Sequence, residues 1–146
     1  MAACTTPFCS RRTAATGTAE TLDHAVGAAE AYGAFLHVVS VVDHRVVLAA
    51  DADEKESVRA ELTDEATTAV ADLAGRAREA GVEATTATPE GVPHRDILAY
   101  AGEHGVDLLV LGTHGRTGRE KRLNLGSTTE RVVKAADRPL LVVDIG

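Results

Sequence analysis

Gly112, Thr113, His114 and Gly115 close an apolar run and are followed, after ten intervening residues, by Gly126 and Ser127. Glycines let backbone N–H groups approach phosphate oxygens with no side chain in the way. A helix opening at Ser127 adds uncommitted N–H donors and the positive end of its dipole. The hydroxyls of Ser127 and Thr128 are further donors, and His114 can donate to a phosphate or to a partner. Arg116, Arg119, Lys121 and Arg122 make this segment basic within a chain whose net charge is -7. These residue types in this order suit the cradling of phosphate. A bland alternative is a connection whose glycines merely permit turns; strand, glycines, helix start and basic charge occurring together favour the cradle.

Better-known phosphate loops do not fit. No Gly-Lys-Ser or Gly-Lys-Thr ending is present, and Gly112, Gly115 and Gly118 do not follow dinucleotide-binding spacing. Ser127 lacks a histidine that spacing would bring beside it, so it is not read as a nucleophile, and no catalytic residue is assigned. His24, His37, His44, His94 and His104 show no paired ligand spacing, which argues against a metal site. Asp43 stands at the end of an apolar run, where it serves as a loop cap or as a ligand contact. Arg95 and Asp96 read as solvated charge and helix capping. The acidic cluster Asp51–Glu56 reads as a solvated helix start favoured by the dipole.

The elements that must carry these residues alternate along the chain. A helix is expected over Ala19–Tyr32, capped by Thr18, with Leu22, Ala25, Val26 and Ala29 on one face and Gly33 as its stop. Phe35–Val42 is β-branched and apolar, a strand buried on both faces. His44–Asp51 reads as a connection, followed by a long helix over Glu54–Ala80 ended by Gly81. Val82–Thr88 is a polar strand suited to a sheet edge. Pro89, Gly91 and Pro93 turn the chain into a helix over His94–His104, stopped by Gly105. Asp107–Leu111 is a buried strand. Ser127 is expected to cap a helix over Thr128–Ala136, with Glu130 completing a capping box, and Leu140–Val143 is the last strand. Strands separated by helices imply right-handed crossovers and a three-layer, doubly wound parallel α/β sheet. In such a fold the loop after Leu111 opens on the crevice at the topological switch point.

Bulk properties narrow the classes. A chain of 146 residues fits one domain. Its net charge of -7 argues against nucleic acid, whose phosphates would repel it. No apolar run is long enough to span a bilayer, and the start of the chain lacks the continuous apolar core of a secretory signal. Cys4 and Cys9 have no further cysteine with which to build a metal quartet and read as free thiols. A cytoplasmic setting is the resulting expectation.

The runs Gly112–Gly118, Leu125–Val133 and Arg138–Val143, together with Ala31–Asp43 and Pro93–Ile97, resemble the universal stress protein family over about Thr18 to the C-terminus. That resemblance implies a Rossmann-like domain of five parallel strands, of the adenine nucleotide alpha hydrolase type, which binds ATP or AMP, with Mg2+ as a possible companion. Carried over residue by residue, the implied contacts are Val41 for adenine, with Leu111, Gly112, Gly115, Gly126, Ser127 and Thr128 for phosphates and ribose; His114 and Arg116 complete the candidate set. It also implies a homodimer through the last strand, Leu140–Asp144. The family usually places nine residues between its second and third glycines, and here there are ten.

The family's first strand, ending in a proline and a ligand aspartate, is missing from residues 1–17. Pro7, Arg11 and Arg12 stand where a buried central strand belongs, and no strand is expected there. Back-translation offers a cause. If the last two bases of each hidden codon supply the first two of each stated codon, Cys4–Gly17 permits Met-Tyr-Asp-Thr-Ile-Leu-Phe-Pro-Thr-Asp-Gly-Ser-Asp-Gly. The leucine is forced by Phe8 followed by Cys9; the other positions are permitted. The expected organisation is therefore an anomalous, frameshifted leader over 1–17 and a universal stress protein domain over 18–146.

Two functions from different classes follow. One is adenine-nucleotide binding in a stress-response or signalling role, with at most slow hydrolysis. The other is a structural dimer or protein-interaction module of the same fold without nucleotide. A synthetase-like enzyme is disfavoured because the chain has no room for a substrate domain.

Overall fold

The structure, a computed structural model, describes residues 12–16, 19–112 and 127–143. Five parallel strands form the sheet: β1 (Arg12–Thr16), β2 (Phe35–Val39), β4 (Ala84–Ala87), β6 (Leu108–Gly112) and β7 (Leu140–Val143), in the order β4-β2-β1-β6-β7. Every pairing in this sheet is parallel, with Thr16 opposite Leu111 and Gly112 opposite Val143 at the C-terminal ends. Two further short strands, β3 (Val42–Asp43) and β5 (Glu90–Gly91), make a separate parallel ladder.

Residues alternate across the sheet because the strand period is two. Leu36, Val38 and Val110 face one layer, formed by α1 (Ala19–Tyr32) and α3 (Lys55–Glu79), where they pack with Leu22, Ala25, Val70 and Ala74. Leu109 and Leu111 face the other, formed by α4 (Pro93–Glu103) and α5 (Ser127–Ala135), and meet Ile97, Ala101 and Val132. The three-layer, doubly wound reading is thus the observed architecture. Gly33, Gly81 and Gly105 follow α1, α3 and α4 with φ of 62°, 85° and 60°, the left-handed conformation that ends a helix at little cost only for glycine.

Three expectations are corrected. Residues 1–17 do hold a strand: β1 lies at the centre of the sheet between β2 and β6. It starts at Arg12, past Pro7, and its Thr-Ala-Ala-Thr sequence contains no proline to interrupt the ladder. Two apolar strands that would each expose an unpaired edge gain backbone partners from it, and this tertiary demand overrides weak local propensity. Next, the apolar run after Phe35 is not one strand, because β2 stops at Val39 and Val42–Asp43 joins β5 instead. Finally, His44–Asp51 is not a plain connection. It contains α2 (His44–Ala49), whose first turn is capped by Asp43 accepting from the Arg45 backbone N–H at 3.0 Å.

His37, buried on the α4 face of β2, has its Nδ1 2.8 Å from the Tyr100 hydroxyl oxygen, and Tyr100 stacks on His104 with ring centroids 3.9 Å apart. This polar, aromatic contact explains a histidine inside an otherwise apolar strand. Arg138 ties down the same C-terminal end of that helix: Nη1 donates to the carbonyls of Ala101 at 3.0 Å and Val106 at 2.8 Å, joining the last turn of α4 to the link that follows it.

Candidate functional site

The order β4-β2-β1-β6-β7 fixes where a ligand site can form. From β1 the chain crosses to β2 on one side, while β6 and β7 extend on the other, so the switch point lies between the C-terminal ends of β1 and β6. Thr16 and Gly112 stand at that opening. α1 starts three residues beyond Thr16 on one side of the sheet, and α5 opens with Ser127 on the other. Two helix N-termini, whose first N–H groups have no acceptor within their own helix, therefore flank one crevice.

Of the residues that the sequence singles out, Leu111 and Gly112 are buried at the end of β6, Ser127 is exposed, and Thr128 is half-buried in the first turn of α5. Val41 lies in the short link between β2 and β3, partly buried against the layer of Ile97, Leu109, Leu111 and Val132. The fold thus collects these five residues around the C-terminal ends of β2 and β6. His114, Gly115, Arg116 and Gly126 lie outside the described residues.

Sequence reasoning missed Thr129. Its hydroxyl donates to the Gly112 carbonyl at 2.6 Å, and the side chain is buried. This bond fastens the start of α5 to the end of β6, so the two halves of the glycine motif are held by one contact. A threonine in a helix's first turn gives no hint of a partner seventeen residues away, so only the fold could reveal it. Glu130 pairs with Lys134 at 2.9 Å across one helical turn, and its carboxyl is held below the ordinary glutamate range by that ammonium.

Asp43 caps α2 and binds Arg45 through both carboxylate oxygens, at 3.0 and 2.9 Å. The Arg45 hydrogen bond holds its carboxyl below the usual aspartate range. Of its two expected roles the structure displays the cap. Beside it, Glu90 of β5 accepts from Arg59 at 2.8 Å and lies 2.9 Å from His44, with Arg59 also paired to Glu56. Asp96 accepts from the Val92 backbone N–H at 2.7 Å, the capping role read from sequence, while Arg95 is exposed. Among the described residues no group of three or more His, Cys, Asp or Glu side chains could hold a metal ion. No helix of the described residues is long and apolar enough to cross a membrane.

A doubly wound parallel sheet with helices on both faces and a switch-point crevice defines a Rossmann-like, three-layer α/β class of protein. The family model described as "Universal stress protein family" matches residues 15–144, and the chain belongs to that family. Universal stress protein MJ0531 of Methanocaldococcus jannaschii is 37% identical over 125 residues, covering 85% of this chain and 73% of that protein. Among solved structures, protein MJ0577 superposes with a TM-score of 0.77 at 26% identity, over 93% of this chain and 96% of that one. A universal stress protein from Archaeoglobus fulgidus, solved in complex with dAMP, superposes with a TM-score of 0.57 at 18% identity, over 92% of this chain and 97% of that one; this last likeness bears on the fold alone.

Proposed function

We propose that this universal stress protein binds an adenine nucleotide, ATP or AMP, in the crevice between the ends of β1 and β6, and acts in stress response or signalling. The observation that carries this reading is the Thr129–Gly112 bond, which locks a helix N-terminus onto the glycine lip of the crevice. Backbone donors and a helix dipole held rigidly at one point suit an anion. A universal stress protein from Archaeoglobus fulgidus solved in complex with dAMP is a precedent within the family for an adenine base, and family membership, not the structural likeness, brings it to this chain. Val41 would then face adenine, with Leu111, Gly112, Ser127 and Thr128, and with His114, Gly115, Arg116 and Gly126, around the ribose and phosphates. Mg2+ would accompany ATP through its phosphates. No general base is assigned near the crevice, so turnover would be slow and a matter of positioning.

Isothermal titration calorimetry with ATP and AMP, with and without Mg2+, tests the reading. Saturable binding that GTP does not compete for is the expected result. No heat and no thermal shift at millimolar ATP would overturn it, since ligand at a hundred times its Kd stabilises a fold by about 2.7 kcal/mol. The interaction-module reading would then stand. It has its own support in β7, which closes one edge of the sheet and leaves Leu141 37% exposed. A homodimer through Leu140–Asp144 would cover that edge; sedimentation of wild type and of a Leu141→Lys variant tests it. A cytoplasmic location belongs to the same proposal.

The leader is part of this reading. Residues 1–17 are proposed to be an out-of-frame version of the family's first strand, and the family-model match begins only at Ala15. The gene's own codons decide this: any set that cannot yield an Ile-Leu-Phe-Pro strand refutes it. If the chain is expressed as written, the crevice lacks the carboxylate that the family sets at the end of its first strand. Affinity far below that of intact relatives follows, and a nanomolar Kd for ATP would contradict that expectation.

A further inference from the structure

Two buried threonines occupy equivalent places on the two helices that flank the crevice. Thr129 is the third residue of α5, and Thr21 is the third residue of α1. The Thr129 hydroxyl is spent on the Gly112 carbonyl at 2.6 Å. Thr21 is 1% exposed, and its Oγ1 has no hydrogen-bond partner among the described residues. A buried hydroxyl without a partner is rare in a folded protein and calls for a cause, such as a ligand that completes it.

Geometry indicates which way the hydroxyl faces. Thr21 shares the buried face of α1 with Leu22, Ala25 and Ala29, the side that packs on the sheet. Helical side chains lean toward the N-terminus of their helix. α1 follows β1 after only residues 17 and 18, so its N-terminus lies at the C-terminal end of the central strand. Thr21 therefore leans toward the switch point, the end of α1 at which the first-turn N–H groups have no acceptor within the helix.

We propose that the Thr21 hydroxyl donates a hydrogen bond to a phosphate oxygen of the nucleotide bound in the crevice. This rests on the nucleotide-binding reading given above. A hydroxyl donor beside a helix N-terminus suits an anionic oxygen better than an uncharged base edge. Because the hydroxyl is sealed from water, the ligand must part the crevice lip to reach it.

Thr21→Val removes the hydroxyl and keeps the shape; Thr21→Ser keeps the hydroxyl and trims a methyl. Calorimetric titrations of wild type and both variants with ATP, AMP and adenosine test the assignment, alongside the melting temperature of each variant without ligand. Thr21→Val is expected to melt no lower than wild type, because an unpaired buried hydroxyl has been removed. It is expected to bind ATP and AMP roughly tenfold more weakly, the size of a lost hydrogen bond to a charged group, with adenosine unaffected. Thr21→Ser should hold nucleotide within about twofold of wild type. Unchanged AMP affinity in Thr21→Val overturns the proposal and leaves the nucleotide site standing. An equal loss with adenosine overturns the phosphate assignment. A wild type that binds no adenine nucleotide refutes the underlying reading, and this proposal with it.

Discussion

Thr129→Val isolates the contact that builds the crevice. The substitution replaces a hydroxyl with a methyl of similar volume, so it opens no cavity, and valine and threonine have similar helix propensities. What is lost is the 2.6 Å bond from Thr129 Oγ1 to the Gly112 carbonyl, in a site where the side chain is 6% exposed. Water cannot readily take the place of the donor there, so the cost is that of leaving a buried acceptor short of a partner, about 1–3 kcal/mol. For a chain of this size each 1 kcal/mol corresponds to about 2–4 °C in Tm. Urea unfolding followed by circular dichroism should show a lower midpoint at unchanged slope, because the surface exposed on unfolding is the same. Thr129→Ser keeps the donor and should recover most of the loss. Release of α5 from β6 should also weaken ATP by more than the stability change alone explains, measured well below the melting temperature. A Thr129→Val protein with wild-type midpoint and wild-type affinity would refute the claim that this bond organises the site.

Three more outcomes follow from the described contacts. Arg138→Ala removes donors to the carbonyls of Ala101 and Val106 and should cost about 2–3 kcal/mol in urea unfolding, with Arg138→Lys restoring part of it. Gly91→Ala would place a methyl 2.1 Å from Asp96 Oδ2 and 2.6 Å from its Cγ, driving that carboxylate off the Val92 N–H; a loss of about 1 kcal/mol, the worth of a helix cap, is expected. Asp43→Ala removes the α2 cap and should cost about 1 kcal/mol at neutral pH. The Arg45 bond lowers the Asp43 pKa in the folded state. Its contribution is therefore complete above the unfolded aspartate value of about 3.9 and fades as pH falls through the lower folded value. The gap between wild type and Asp43→Ala in stability-against-pH curves should narrow below about pH 4; a gap that widens in acid would refute the assignment.

Much of this molecule is legible in its residue order. The apolar alternation of helix and strand and the glycine stops at 33, 81 and 105 together specify a doubly wound sheet, and the glycine-and-hydroxyl run from Gly112 to Thr128 marks the family. These signals are local: a period of 3.6 or 2, a left-handed glycine, a capped helix start. They also place Val82–Thr88 at an edge, because a polar, threonine-rich strand has too little apolar surface for the centre of a sheet; β4 is indeed at the edge.

What the order of residues could not determine depends on partners distant in the chain. Arg12–Thr16 has weak strand propensity, yet it forms the central strand because β2 and β6 offer ladders on both sides. Val42–Asp43 leaves the main sheet because Glu90–Gly91 is there to pair with it. Thr129 and Arg138 matter only through carbonyls that folding brings within reach, at 2.6 Å and at 2.8 to 3.0 Å. Thr21 stands out only because folding leaves its hydroxyl buried without a partner among the described residues. Sequence alone determined the family and the alternation of helix and strand, since both are written in short-range pattern. Tertiary structure alone decided which carbonyl each buried hydroxyl meets, because hydrogen bonding is directional and acts over less than the width of one strand spacing.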